Sequence, residues 1–319
     1  MIISLLWIVG GLALLVIGGE ALVRGASSLA RIAHISPLVI GLTVVAFGTS
    51  APELATSVGA AFSGKGDMAI GNVIGSNIAN VLLILGIASL IKPLKVQSQL
   101  VRLDVPLMVF VSVGLLIFAW NGTISRIEGC GLFAAIVIYT IWLLLRSRRE
   151  SATVQQEFDE AIPTQPIGKY SVLIQCILVV AALAMLILGA NMLVGGASDL
   201  ARVLEISELV IGLTIVAVGT SLPELITSVM AAFRGESDIA VGNVVGSNLF
   251  NILSVLGAAA AVSPNGLQVP TSALRFDIPM MILVSIVCLP IFFTGYRISR
   301  WEGMFFLSSY IAFVAYQLI

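Results

Sequence analysis

From Val172 to Gly189 the chain runs eighteen residues without a charge, and from Val105 to Ala119 it runs fifteen more. A soluble protein carries roughly one charged residue in four, whereas here 10% of 319 residues are charged and 59% are hydrophobic. Only a chain solvated by lipid sustains such runs, so the class is an all-α polytopic membrane protein in a lipid bilayer. A net charge of −1 gives no electrostatic case for nucleic acid. Cys130, Cys176 and Cys288 stand singly in or near apolar stretches without metal-binding spacing, and are read as small hydrophobic core residues. The N-terminus enters an apolar span at once, with no basic lead-in or small-residue cleavage pattern, and reads as a retained helix.

Segments of spanning length fall near 2–23, 37–62, 68–91, 103–120 and 127–145, then near 172–194, 208–233, 239–262, 276–294 and 301–318. Ten transmembrane helices are therefore expected, with a polar connection at 146–170 as a linker between halves. Twelve Lys and Arg residues lie in the connections on the linker's side, among them Arg24, Lys92, Arg146, Arg234 and Arg300; four (Lys65, Arg126, Arg202, Arg275) lie on the other. The positive-inside rule places the linker in the cytoplasm and both termini outside. The plasma (inner) membrane is the expected location.

An internal repeat sets the architecture. Residues 41–62 match 212–233 at 17 of 22 positions, and 67–80 match 238–251 at 9 of 14, both at an offset of 171. The expected domains are a first five-helix repeat at 1–145, the linker, and a second repeat at 171–319. Each span reverses the chain, so a repeat of five places the second copy upside down. Inverted repeats around a midplane site are the plan of many secondary transporters.

Gly48, Thr49, Ser50, Ala51, Pro52 and Glu53 return as Gly219, Thr220, Ser221, Leu222, Pro223 and Glu224. Pro52 has no N–H, so a kink or local unwinding is expected at mid-span, with free carbonyls near Ala46 and Phe47. Pro223 does the same near Ala217 and Val218. Asn72, Ser76 and Asn80 form one stripe at a spacing of four, and Asn243, Ser247 and Asn251 repeat it. Gly71 and Gly75, like Gly242 and Gly246, are spaced for close helix contact. Two acids, several hydroxyls, amides and loosened carbonyls form an all-oxygen lining suited to hard cations. Two Glu carry about −2, which one divalent or two monovalent ions neutralise. That is a physical basis for exchange, and acids within the membrane are functional by default.

Other polar residues read as structural. Asp67 and Asp238 are expected as helix N-caps. Asp104 and Asp277 are expected to pair at the interface with Arg102 and Arg275. Glu128 and Glu302 mark helix ends, and His34 reads as a solvated loop residue. Glu20, whose partner in the copy is Asn191, reads as an interface residue.

At Gly-Thr-Ser-x-Pro-Glu followed by Gly-Asn-x-x-Gly-Ser-Asn-x-x-Asn, each present twice (48–53 with 71–80, and 219–224 with 242–251), the chain resembles the calcium/cation antiporter superfamily, in its prokaryotic sodium/calcium exchanger branch. The resemblance implies an inverted five-plus-five fold with ions held between helices 2, 3, 7 and 8. It implies calcium bound by Glu53 and Glu224 with the carbonyls of Thr49 and Thr220. It implies sodium bound by Ser50, Ser76, Ser221 and Ser247 with the carbonyls of Ala46 and Ala217. Asn80 and Asn251 would take the remaining central positions. Potassium-dependent relatives carry Asp where this chain has Asn251, which argues against potassium co-transport.

The expected function is a secondary active antiporter that exchanges sodium for calcium by alternating access, extruding calcium on inward sodium flow. The alternative is a proton/calcium antiporter, and a passive cation channel stands behind it. Calcium and sodium ions are the expected partners, and no cofactor is expected. A membrane hydrolase would need a nucleophile or a metal-binding His motif, and the single histidine, His34, supplies neither, so no enzyme is expected.

Overall fold

The computed structural model describes residues 2–158, 169–204 and 217–317. Helical segments in chain order are α1 (Ile2–Ala33), α2 (Pro37–Thr49, then Ala51–Phe62), α3 (Gly66–Ile91), α4 (Leu100–Ala119) and α5 (Arg126–Phe158). They continue as α6 (Lys169–Val203), α7 (Leu222–Arg234, preceded by the turn Ala217–Thr220), α8 (Ser237–Val262), α9 (Ala273–Phe293) and α10 (Arg300–Gln317). Among the described residues, seven helices are long and apolar enough to cross a membrane, or eight if the two bent parts of α2 count as one. The expected span at 208–233 lies partly outside the described residues. In α10, Arg300, Glu302, Ser308, Ser309 and Gln317 dilute the apolar character. The protein is an all-helical, multi-pass membrane protein.

Burial sorts the helices into inside and outside. Over its most apolar stretch α8 is 89% buried and α3 72%, whereas α6 is only 22%. Ile174, Ile177 and Val180 on α6, like Ile3, Leu6 and Val9 on α1, turn large side chains outward, as lipid-facing residues do. The two outer helices lie against each other at glycines: a Cβ on Gly11 would stand 2.7 Å from the Gly189 carbonyl oxygen. In the core, Gly242 and Gly246 let α8 touch α2, where a Cβ on Gly246 would meet the Leu42 carbonyl at 2.7 Å. At Gly71 and Gly75 no described residue comes that near.

The helix ends hold one another. Ser125 and Glu128 form a reciprocal capping box at the start of α5: the Ser125 N–H donates to Glu128 Oε2 at 2.7 Å, and the Glu128 N–H donates to Ser125 Oγ at 3.3 Å. Ser299 and Glu302 repeat it at α10. Arg126 then donates to the Ala261 carbonyl at the end of α8, and Arg300 to the Leu90 carbonyl at the end of α3, both at 3.1 Å. Two short antiparallel ribbons tie the connections: β1 (Leu94–Lys95) with β4 (Arg297–Ile298), and β2 (Thr123–Ile124) with β3 (Leu267–Gln268).

Several polar residues differ from expectation. Asp104 is fully buried and accepts from the Tyr139 hydroxyl (2.9 Å) and Gln99 (3.2 Å), while Arg102 is exposed. Residues two apart on a helix do not face each other, so Arg102 and Asp104 diverge. Asp277 likewise accepts from Gln317 at 2.8 Å. The N-cap positions fall on Lys65 and Glu236. Asp67 therefore sits within the first turn of α3, and Asp238 accepts from Gln97 at 2.7 Å. Cys288 is buried, but Cys130 and Cys176 are exposed on outward helix faces rather than in the core. The helix of α5 continues through Phe158, well into the segment read as linker. Glu20 bridges Arg24 on its own helix and Arg234 on α7, which places it at an interface.

Candidate functional site

The site begins where α2 breaks. Ser50 (φ −82°, ψ 7°) interrupts the helix, Pro52 opens the next segment at its second position, and the two parts meet at 46°. A proline without an N–H is best placed in the first turn, so the break falls just before it. Ser221 (φ −87°, ψ 7°) and Pro223 repeat the arrangement at α7. The Ala46 carbonyl is not left free, as it accepts from the Ser50 N–H at 3.0 Å. The single turn Ala217–Thr220 precedes the matching break.

These breaks carry Glu53 and Glu224 into the interior, 0% and 1% exposed. Each is met by a serine from the other repeat: Ser50 donates to Glu224 Oε1 at 3.0 Å, and Ser221 to Glu53 Oε1 at 3.4 Å. Ser221 Oγ also lies 3.3 Å from Ser76 Oγ on α3. Thr49 Oγ1 reaches Asn243 Oδ1 at 3.1 Å and the Ala46 carbonyl at 3.3 Å. Thr220 is half-buried at the matching place.

The two stripes divide into separate jobs. Asn72 donates to Ser57 Oγ (2.9 Å) and the Glu53 carbonyl (3.4 Å); Asn243 donates to Ser228 Oγ (3.0 Å) and the Glu224 carbonyl (3.3 Å). Each thus braces the helix turn behind a carboxylate. Asn80 and Asn251 each stand at the start of a π-helical turn (Asn80–Leu85 and Asn251–Leu256). Such turns add a residue to the helix and re-aim side chains, often at functional positions.

Among the described residues, seven buried side-chain oxygens have no hydrogen-bond partner, and five of them belong to this cluster: Glu53 Oε2, Glu224 Oε2, Asn80 Oδ1, Asn251 Oδ1 and Ser247 Oγ. Leaving a buried acceptor unpaired costs about 1–3 kcal/mol. The five lie on α2, α3, α7 and α8, and two of them are carboxylate oxygens. No group of three or more His, Cys, Asp or Glu residues gathers among the described residues.

Asn77 and Asn248 lie within the motif but carried no role in the sequence reading. Asn80 Nδ2 donates to Asn248 Oδ1, and Asn251 Nδ2 to Asn77 Oδ1, both at 3.0 Å. Their place directly after Ser76 and Ser247 was visible; the partner across the bundle was not.

The family model described as sodium/calcium exchanger protein matches residues 3–145 and 174–319. Sodium/calcium exchanger MaX1 of Methanosarcina acetivorans is 35% identical over 335 residues, covering 95% of each chain. Inner membrane protein YrbG of Escherichia coli is 36% identical over 291 residues, 90% of this chain and 88% of its own. A solved structure of the sodium-calcium exchanger NCX_Mj, soaked with 10 mM Na+ and zero Ca2+, superposes with a TM-score of 0.85 at 31% identity, covering 98% of both chains. With both halves of the chain matched, this protein belongs to the sodium/calcium exchanger family, a family of membrane transporters and not of enzymes.

Proposed function

We propose that the protein exchanges sodium for calcium across the plasma (inner) membrane by alternating access, extruding calcium on inward sodium flow. The observation that carries this is the set of five unpaired, buried oxygens between α2, α3, α7 and α8. In this reading calcium sits between Glu53 and Glu224 with the carbonyls of Thr49 and Thr220. Sodium ions use Ser50, Ser76, Ser221 and Ser247 with the carbonyls of Ala46 and Ala217, and Asn80 and Asn251 complete the centre. Calcium accepts six to eight oxygens in flexible geometry, and sodium accepts hydroxyls and carbonyls as well. The two carboxylates balance one calcium or two sodium ions, so the ions displace each other.

The architecture proposed with it is ten spans in two inverted five-helix repeats, 1–145 and 171–319, joined by a cytoplasmic linker at 146–170, with both termini outside. The ribbons support this. One joins the α3–α4 connection to the α9–α10 connection, and the other joins α4–α5 to α8–α9. Each pair falls on one face in the inverted arrangement. Matched bonds at an offset of 171, such as Asn72 to Ser57 and Asn243 to Ser228, support it further. Equilibrium binding of radiolabelled calcium to the purified protein tests the site. Saturable binding displaced by sodium is expected, and calcium binding indifferent to sodium would refute the exchange.

A further inference from the structure

Asn80 and Asn251 each face a problem that a carboxylate does not. An amide has one oxygen and one NH2 group, and half a turn of its end swaps them. Only the oxygen attracts a cation; the NH2 group repels it. In a dry interior the choice depends on which neighbour takes the NH2 group.

We propose that Asn77 and Asn248 are positioning residues, a crossed pair that turns the oxygens of Asn251 and Asn80 toward the ion space. The proposal rests on reading that space as a cation site. Asn248 Oδ1 takes the Asn80 NH2 group and Asn77 Oδ1 takes that of Asn251, each at 3.0 Å, while Asn80 Oδ1 and Asn251 Oδ1 stay unpartnered. All four side chains are at most 2% exposed, so water does not compete. The positioning amides are themselves oriented from behind. Asn248 Nδ2 donates to Met108 Sδ on α4 at 3.3 Å. Asn77 Nδ2 donates to the Asn248 carbonyl at 3.3 Å and lies 3.5 Å from Met281 Sδ on α9. Two relays result: Met108, Asn248, Asn80 and Met281, Asn77, Asn251. In each, the residue that orients belongs to the opposite repeat from the residue that is oriented. Asn77 and Asn248 each spend one acceptor position of their own oxygen on this contact.

The test exploits the symmetry of a carboxylate. Protein reconstituted into sodium-loaded vesicles is assayed for calcium uptake, resolving KM from maximal rate. Asn77→Leu should raise KM for calcium about fivefold to tenfold, the size expected when one hydrogen bond no longer holds the oxygen. In an Asn251→Asp background, where either oxygen serves, Asn77→Leu should change KM by less than about twofold. Asn248→Leu with Asn80→Asp is the matching pair, and Asn77→Ser stands in if the leucine variant does not fold. Equal losses of affinity in the Asn251 and Asp backgrounds would overturn the proposal, since a purely structural role is blind to that change. Wild-type protein that neither binds nor exchanges calcium would overturn the cation-site reading and this proposal with it; exchange without masking overturns this proposal alone.

Discussion

The Ser50 hydroxyl donates to Glu224 Oε1 at 3.0 Å across 174 positions of sequence, and Ser221 stands in the corresponding relation to Glu53 at 3.4 Å. Each carboxylate therefore has one oxygen fixed by the other repeat and a second oxygen with no partner. The two breaks in α2 and α7 act as one unit, and changing either half of it should be felt by both.

Glu53→Gln and Glu224→Gln should each abolish calcium uptake while leaving a folded protein. Removing one of two buried charges that hold a divalent cation costs about 3 kcal/mol or more, roughly a hundredfold or greater fall. Uptake of radiolabelled calcium into vesicles measures it, with size-exclusion in detergent checking the fold. Uptake within a few fold of wild type would contradict the assignment.

Ser247→Ala separates stability from function. Ser247 Oγ is buried without a partner, so removing it should stabilise the cation-free protein by about 1 kcal/mol. The same change should shrink the rise in melting temperature on adding sodium. Thermal unfolding in detergent with and without sodium reads both, and a destabilised cation-free protein would speak against an unpaired oxygen there.

Protons and calcium should compete. A proton neutralises a carboxylate as a cation does, so acidification should raise KM for calcium while saturating calcium restores the maximal rate. Uptake kinetics at neutral and mildly acid pH decide it. A maximal rate that falls at constant KM would mean the proton acts elsewhere.

Tyr139→Phe tests a buried pair outside the site. The change leaves Asp104 Oδ1 without the hydroxyl that donates to it at 2.9 Å. A loss of about 1–3 kcal/mol is expected, with sodium-dependent calcium uptake retained. A variant with unchanged melting temperature and lost uptake would move Asp104 into the transport machinery.

Much of the site was legible because polar residues within an apolar helix have few reasons to be there. The repeated motif alone led to Glu53, Glu224, Ser50, Ser221 and Ser76, which the structure brings into hydrogen-bond distance of one another in part, and to Asn80 and Asn251, whose oxygens it leaves buried and unpartnered. Ser247 Oγ is likewise buried without a partner. What stayed hidden depends on contacts between distant helices. Asn77 looks like one more amide until Asn251 is found donating to it. Asp104 is separated by 35 residues from the tyrosine that satisfies it, and Glu20 by 214 from Arg234. The π-helical turn from Asn80 to Leu85 has no residue signature, since Asn, Val, Leu and Ile are all found in ordinary helices. Asn72 and Asn243 share the spacing of Asn80 and Asn251 but brace the backbone behind the carboxylates, through bonds to Ser57 and Ser228 that spacing does not reveal.

Calcium uptake by vesicles of purified protein under an imposed sodium gradient, an imposed pH gradient, or neither tests exchange most directly. Sodium-loaded vesicles in sodium-free medium should accumulate calcium, and a pH gradient alone should drive little. Calcium entry that follows the pH gradient and ignores sodium would contradict sodium exchange in favour of a proton/calcium antiporter, and entry indifferent to both gradients would contradict antiport altogether.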